Sequence, residues 1–316
     1  MRVTRMEPVR AAALVLAALS MLALRPGVAD AGDPKVKVVA SVPDLGDMAR
    51  RIGGDRVQVD VLASGREDLH GVPARPSFIP KLSRADLLLT LGLDAEHSWL
   101  PALADEARNQ RIREDQTGWI ETSRGVAVLD VPTVLSRAEG EQHPEGNPHI
   151  NIGPQNGAMM ARNVADAFSD FDPAGAAEYT RRCDAYVAEL EALAQRLRVE
   201  GAPLRGVRVI SYHADLSYLT EFYGMEIVGT LEPKPGIEPT AGHMARLAEA
   251  GRAAGVTMVV YNQAQPAKLA GKFADRIGAR PVQIGNMVGA LDGVSTWAAL
   301  QEHNLQALLA ALGGGR

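Results

Sequence analysis

Three stretches of the sequence repeat one pattern. RRIGGDRVQVDV (50–61), EFYGMEIVGTL (221–231) and DRIGARPVQI (275–284) each close a helical period at glycine and pass into a short apolar run. A chain that alternates helix and strand in this way is confined to α/β layers with mostly parallel sheets. Further strand-like runs fall at Val36 to Ser41, Val57 to Leu62, Leu87 to Leu91, Arg208 to Ser211, Glu226 to Leu231, Thr257 to Tyr261 and Pro281 to Ile284. Between the first two, Leu45, Met48, Ala49 and Ile52 recur at i, i+3, i+4, i+7, the spacing of one helix face.

One element breaks the alternation. After Asp172-Pro173, an N-cap followed by proline at the first helical position, Tyr179, Cys183, Tyr186, Leu190, Leu193 and Leu197 repeat at spacings of four and three. This stripe predicts a helix of about 26 residues, roughly 39 Å long. The expected architecture is therefore α/β: two lobes of mostly parallel sheet flanked by helices, joined by one long rigid helix. The boundaries read as an N-terminal lobe at 32–170, the linking helix at 171–203 and a C-terminal lobe at 204–316.

Ahead of these, Arg2, Arg5 and Arg10 precede an apolar run from Ala11 to Leu24, and Ala29-Asp30-Ala31 supplies a small-x-small cleavage signal. Residues 1–31 are expected to be a secretory signal peptide. No cysteine follows the cleavage point, so the expectation is a periplasmic protein that is not a lipoprotein. Lys plus Arg number 33 against 38 Asp plus Glu, and no basic cluster breaks the balance, which argues against nucleic acid as a partner. The single cysteine, Cys183, excludes a disulfide framework and a multi-cysteine zinc site, and its place on the stripe predicts burial.

Candidate chemistry lies in the histidines. His70 sits in a Gly/Pro-rich loop after the strand ending at Leu62, His149 in a long irregular stretch, and His213 directly after the strand VRVIS. Ligands in open α/β sheets bind beyond the carboxyl ends of strands. Three neutral imidazoles with one further ligand suit zinc, although the spacing alone makes only a weak case. The other histidines are expected elsewhere: His97 at a helix start as a packing or rim residue, His243 and His303 on solvated helix faces, and His143 in a loop with Glu139, Glu141 and Glu145 that is either simply mobile and solvated or passes a cation inward.

The ordered series VKVVASVPDL, IGGDRVQVDVL, DLHGVPARPS, ADLLLTLGLDAEHSWLPAL, GNPHINIGPQN, FDPAGAAEY, VISYHADLSYLTEFYGMEIVG, LEPKPGIEPT and EHNLQALLAAL resembles the zinc/manganese-type solute-binding proteins of ABC importers over some 280 residues. The resemblance implies two lobes on a helix spine with the metal between them. It also implies metal ligands at His70, His149 and His213, with the family's second-lobe carboxylate falling near Asn286. Leu69, Asn151, Gly153, Asn262 and Asn286 depart from the usual pattern, and the last two put amides where acidic residues are common. Loss of hard oxygen ligands tilts the expected cargo from Mn2+ toward Zn2+. Glu232 is a possible substitute ligand. The implied function is capture of a divalent ion and delivery to the membrane permease of an ABC importer, by a monomer without enzymatic activity. A metallochaperone that loads the site is left open. Two other readings stand beside it: a degenerate relative that binds another solute or a partner protein, and a zinc hydrolase, for which no general base is evident.

Overall fold

A computed structural model describes residues 35–133 and 143–313. The expected signal peptide and most of the acidic loop around Glu139 and Glu141 lie outside the described residues.

The expected strands form two four-stranded parallel sheets. The first contains β1 (Val36–Ala40), β2 (Val57–Val61), β3 (Leu87–Thr90) and β4 (Trp119–Glu121) in the order β2-β1-β3-β4. The second contains β5 (Arg208–Ser211), β6 (Glu226–Thr230), β7 (Met258–Asn262) and β8 (Arg280–Ile284) in the order β6-β5-β7-β8. Every residue of β3 is buried, the continuous apolar run expected of a parallel strand covered on both faces. In each sheet the order reverses beside the first strand, so a crevice opens at the carboxyl ends of β1 and β3 and of β5 and β7. The short edge strand β4 had no counterpart in the sequence reading, because three residues give no period to detect.

Helix α1 (Pro43–Gly53) follows β1 and buries Leu45, Met48, Ala49 and Ile52, the predicted face. After the β1–β4 lobe, α2 (Gly157–Phe171) leads to the long helix α3 (Ala176–Glu200). Asp172 accepts hydrogen bonds from the amide of Gly175 and the hydroxyl of Tyr179, and a single 3-10 turn at Pro173–Gly175 precedes the α-helix proper. All six stripe residues are buried, Cys183 among them. Helix α3 packs against α1, α2 and the closing helix α4 (Trp297–Gly313). One apolar core runs through the first sheet, α3, and the β5, β7 and β8 strands of the second. A stiff rod thus spans both lobes, in place of a pair of flexible crossing strands.

The lobes also touch through polar contacts. Asp44 on α1 is fully buried and accepts from the amide of Val288 at 3.0 Å and from Nδ2 of Asn151 at 3.1 Å. The carbonyl of Asn151 accepts from Nε1 of Trp297 at 2.8 Å and Nε2 of Gln301 at 2.9 Å. Gly65, at φ +89°, lies so close to Val288 that a Cβ there would stand 1.9 Å from its carbonyl oxygen. Only glycine meets both the left-handed backbone and the close approach.

Candidate metal centre

His70 stands on a single 3-10 turn (Leu69–Gly71) in the loop after β2. Oδ1 of Asp68, two residues earlier, accepts the His70 amide at 2.9 Å, and Nε1 of Trp99 donates to the Leu69 carbonyl at 3.0 Å. The ring directs Nδ1 to the carbonyl of Ala95 at 3.0 Å. A carbonyl only accepts, so Nδ1 carries the hydrogen and Nε2 points into the crevice.

His149 is held in the same way. Oδ1 of Asn147, again two residues earlier, accepts both the His149 amide at 3.0 Å and Nδ1 at 2.8 Å. The orientation of the Asn147 amide is set by its Nδ2, which donates to Oδ2 of Asp130 and to the carbonyl of Ala214, each at 2.9 Å. Nδ1 of His149 is therefore a donor, and its Nε2 also turns inward. The Nε2 atoms of His70 and His149 stand 3.0 Å apart. Two lone pairs at that distance repel, and a cation between them would relieve the repulsion.

His213 arrives from the other lobe, two residues past β5. Its Nδ1 donates to Oε2 of Glu232 at 2.7 Å, and Glu232 follows β6, the neighbouring strand. Ligand atoms of His70, His149 and His213 all lie within 4.8 Å of one another. Two nitrogens bonded to one tetrahedral zinc at 2.0–2.1 Å stand about 3.4 Å apart. The trio thus fits a zinc ion after closing by about 1.4 Å at its widest separation.

Burial and the charges of His70, His213 and His143 hold His149 well below the ordinary imidazole range, so it is neutral and ready to coordinate. Burial alone would also lower His213, but the hydrogen-bonded carboxylate of Glu232 and the charge of Asp215 outweigh it and raise His213 to about 9. Below that pH the metal-free site keeps a proton on His213. Glu232 stands behind a candidate ligand as a carboxylate partner, the arrangement that fixes tautomer and ring orientation in metal-binding histidines.

The remaining candidates fall as follows. Asn286, at the carboxyl end of β8, is 6% exposed; its side-chain oxygen accepts from Nε2 of Gln263 and its carbonyl from Asn151 at 2.8 Å. Asn262 donates to Oδ2 of Asp215 at 2.9 Å. His303 is exposed as expected, whereas His243 is half-buried, its Nε2 meeting the carbonyl of Thr230 at 2.8 Å. His97 is exposed and bonds the carbonyl of Asp94 through Nδ1. His143 differs most from expectation. It is half-buried, its ring centroid 4.8 Å from that of His70 and 5.6 Å from that of His97. Burial, followed by His70, His97 and His213, lowers it to about 3. The turn His143–Gly146 explains this: the Gly146 amide bonds the His143 carbonyl at 3.1 Å, and the Asn147 amide pins the turn to the Leu129 carbonyl at 2.8 Å. A cavity of about 300 Å³ lies beside the trio, lined by His143, His149, His213, Asn147, Asp130 and Lys234 among others.

A profile of the family described as zinc-uptake complex component A, periplasmic (ZnuA), matches residues 38–311, the span that carries both sheets and all three histidines. The chain belongs to that family. ZnuA proteins are binding components of uptake complexes, not enzymes. The chain is 27% identical over 251 residues to the high-affinity zinc uptake system protein ZnuA of Paracoccus denitrificans, covering 69% of this chain and 72% of the relative. It is 24% identical over 201 residues to the metal ABC transporter substrate-binding lipoprotein ScbA of Streptococcus cristatus, covering 62% of each, so the chain spans less than two thirds of that relative's length. Among solved structures, a ZnuA mutant lacking 138–173 with zinc bound superposes with a TM-score of 0.74 at 24% identity, covering 90% of this chain and all of the other. At that identity the superposition speaks for the fold alone, and the two-lobe fold is the one the sequence predicts.

Proposed function

We propose that this chain captures one zinc ion between its lobes through Nε2 of His70, His149 and His213, and hands it to the membrane permease of an ABC importer. The observation that carries the reading is the convergence of three imidazoles from two lobes within 4.8 Å, two of them with lone pairs opposed at 3.0 Å. Their Nδ1 atoms are all turned outward onto a carbonyl, an amide oxygen and a carboxylate. Nitrogen donors suit zinc better than manganese, which favours oxygen. The zinc-uptake relatives and the export signal read at residues 1–31 support capture in the periplasm. Asn286 would offer only a neutral amide oxygen at the carboxyl end of β8.

Titration of the metal-free protein with zinc and with manganese tests the reading. About one zinc should bind, with a rise in melting temperature equivalent to about 2.7 kcal/mol at a hundredfold excess over Kd. His213→Ala should remove most of that rise. Zinc stabilisation that is unchanged in His213→Ala would take His213 out of the site.

A further inference from the structure

Three imidazoles leave one position of a tetrahedral zinc open. Five oxygen-bearing side chains around the trio are already engaged. Glu232 receives His213, Asp215 receives Asn262, Asp68 caps the His70 turn, and Asp130 receives Asn147. The Asn286 side-chain oxygen receives Gln263.

His143 is in a different condition. Its Nδ1 is buried and has no hydrogen-bond partner among the described residues. Its ring centroid stands 4.8 Å from that of His70, against 4.9 Å for His149 and 5.8 Å for His213. It lines the same cavity as His149 and His213. A buried nitrogen without a partner costs stability, and bonding it to a ligand removes that cost. We propose that His143 is the fourth zinc ligand, closing onto the ion through Nδ1 once the ion lies between His70, His149 and His213. This rests on the reading that those three bind zinc.

His143 stands outside the group formed by the ligand atoms of the trio, so its ring must approach the ion. The backbone beneath it is anchored. Gly146 sits at φ +119°, and a Cβ there would fall 2.8 Å from the carbonyl oxygen of Leu129. The imidazole therefore swings by changing rotamer above a turn that stays in place. The completed centre would have four neutral nitrogens, with the carboxylate of Glu232 hydrogen-bonded behind His213. Such a donor set favours zinc and discriminates against manganese without a carboxylate in contact with the ion.

The experiment is X-ray absorption at the zinc edge on the zinc-loaded full chain and on its His143→Ala variant, with zinc titrations of both and of His213→Ala. The expected result is four imidazoles in the parent, three plus one oxygen in His143→Ala, and at least tenfold weaker zinc binding in that variant. His143→Gln, which keeps a polar side chain, should bind as weakly while melting, metal-free, at the parent's temperature. Three imidazoles and one oxygen in the parent, with tight binding lost only in His213→Ala, would overturn the assignment of His143 and leave the trio intact. Two zinc equivalents, the second held by His143 and His97, would overturn it as well. Zinc binding as tight in His213→Ala as in the parent would instead overturn the three-histidine reading itself.

Discussion

The side-chain oxygen of Asn147 takes two hydrogen bonds from His149 at once, one from the backbone amide and one from Nδ1, while its amide nitrogen reaches the carbonyl of Ala214 beside His213. One amide thus fixes the tautomer of a candidate ligand from the first lobe and ties it to the neighbour of the candidate ligand from the second.

Asn147→Ala should therefore weaken zinc binding by about 10–100-fold, the usual effect of losing a partner behind a metal ligand. Asn147→Asp keeps the acceptor for Nδ1 and should recover part of the affinity. Zinc titration of the two variants checks this. Equal affinity in Asn147→Ala and the parent would mean that His149 needs no such support.

With His213 as a zinc ligand, as proposed, zinc and a proton would compete at that ring. Because Glu232 and Asp215 raise that ring to about 9, apparent zinc affinity should climb by about tenfold per pH unit between pH 7 and 9. The metal-free protein runs the other way. The folded pKa lies above the unfolded value of about 6.5, so this stabilisation is full below pH 6.5 and is lost as pH rises to 9, about 3 kcal/mol in all. Glu232→Gln should flatten both profiles in this window. Calorimetric titration in buffers of different ionisation enthalpy would count the proton released, and affinity independent of pH from 7 to 9 would contradict the scheme.

Gly65→Ala tests the seam between the lobes. The added Cβ would press on the Val288 carbonyl at 1.9 Å in a left-handed backbone, and that carbonyl cannot give way as a flexible side chain would. The expected loss is at least about 1–3 kcal/mol of stability, read as a lower melting temperature, together with weaker zinc binding because His213 is carried by the displaced lobe. Unchanged melting would show that the seam is loose.

Asn286→Asp places a carboxylate where the family resemblance implies one. Neutral imidazoles leave the double charge of the ion uncompensated, and an anionic oxygen at 4 Å gains about 8 kcal/mol at an effective dielectric of 20, before desolvation. Zinc affinity should rise at least tenfold and manganese affinity more steeply. Equal affinities would mean that the group stays with Gln263.

Much of the fold was legible because parallel strands and amphipathic helices leave strong periods. The β1 and β5 runs and the Tyr179–Leu197 stripe carried the two sheets and the spine. What escaped was short or aperiodic, such as β4. In the site, His70, His149 and His213 were marked by their loops, and the structure brings them together. His143 was read as solvated because polar neighbours mask a tight turn that folds it back. The signal for Asn147 was present. In both D-L-H (68–70) and N-P-H (147–149), an Asp or Asn stands two residues before the histidine, the spacing at which such side chains bond the backbone ahead of them.

The carbonyl of Asn151 is gripped by Trp297 and Gln301, side chains near the end of the chain, two residues beyond the ligand His149. A polypeptide that emerges amino terminus first presents His70 and His149 long before those partners exist. The first lobe can condense early, but its ligand segment acquires its final support only when the closing helix arrives. If the proposed site holds the cation, a nascent or carboxyl-terminally nicked copy that lacks Trp297 and Gln301 would then be a poor competitor for scarce metal.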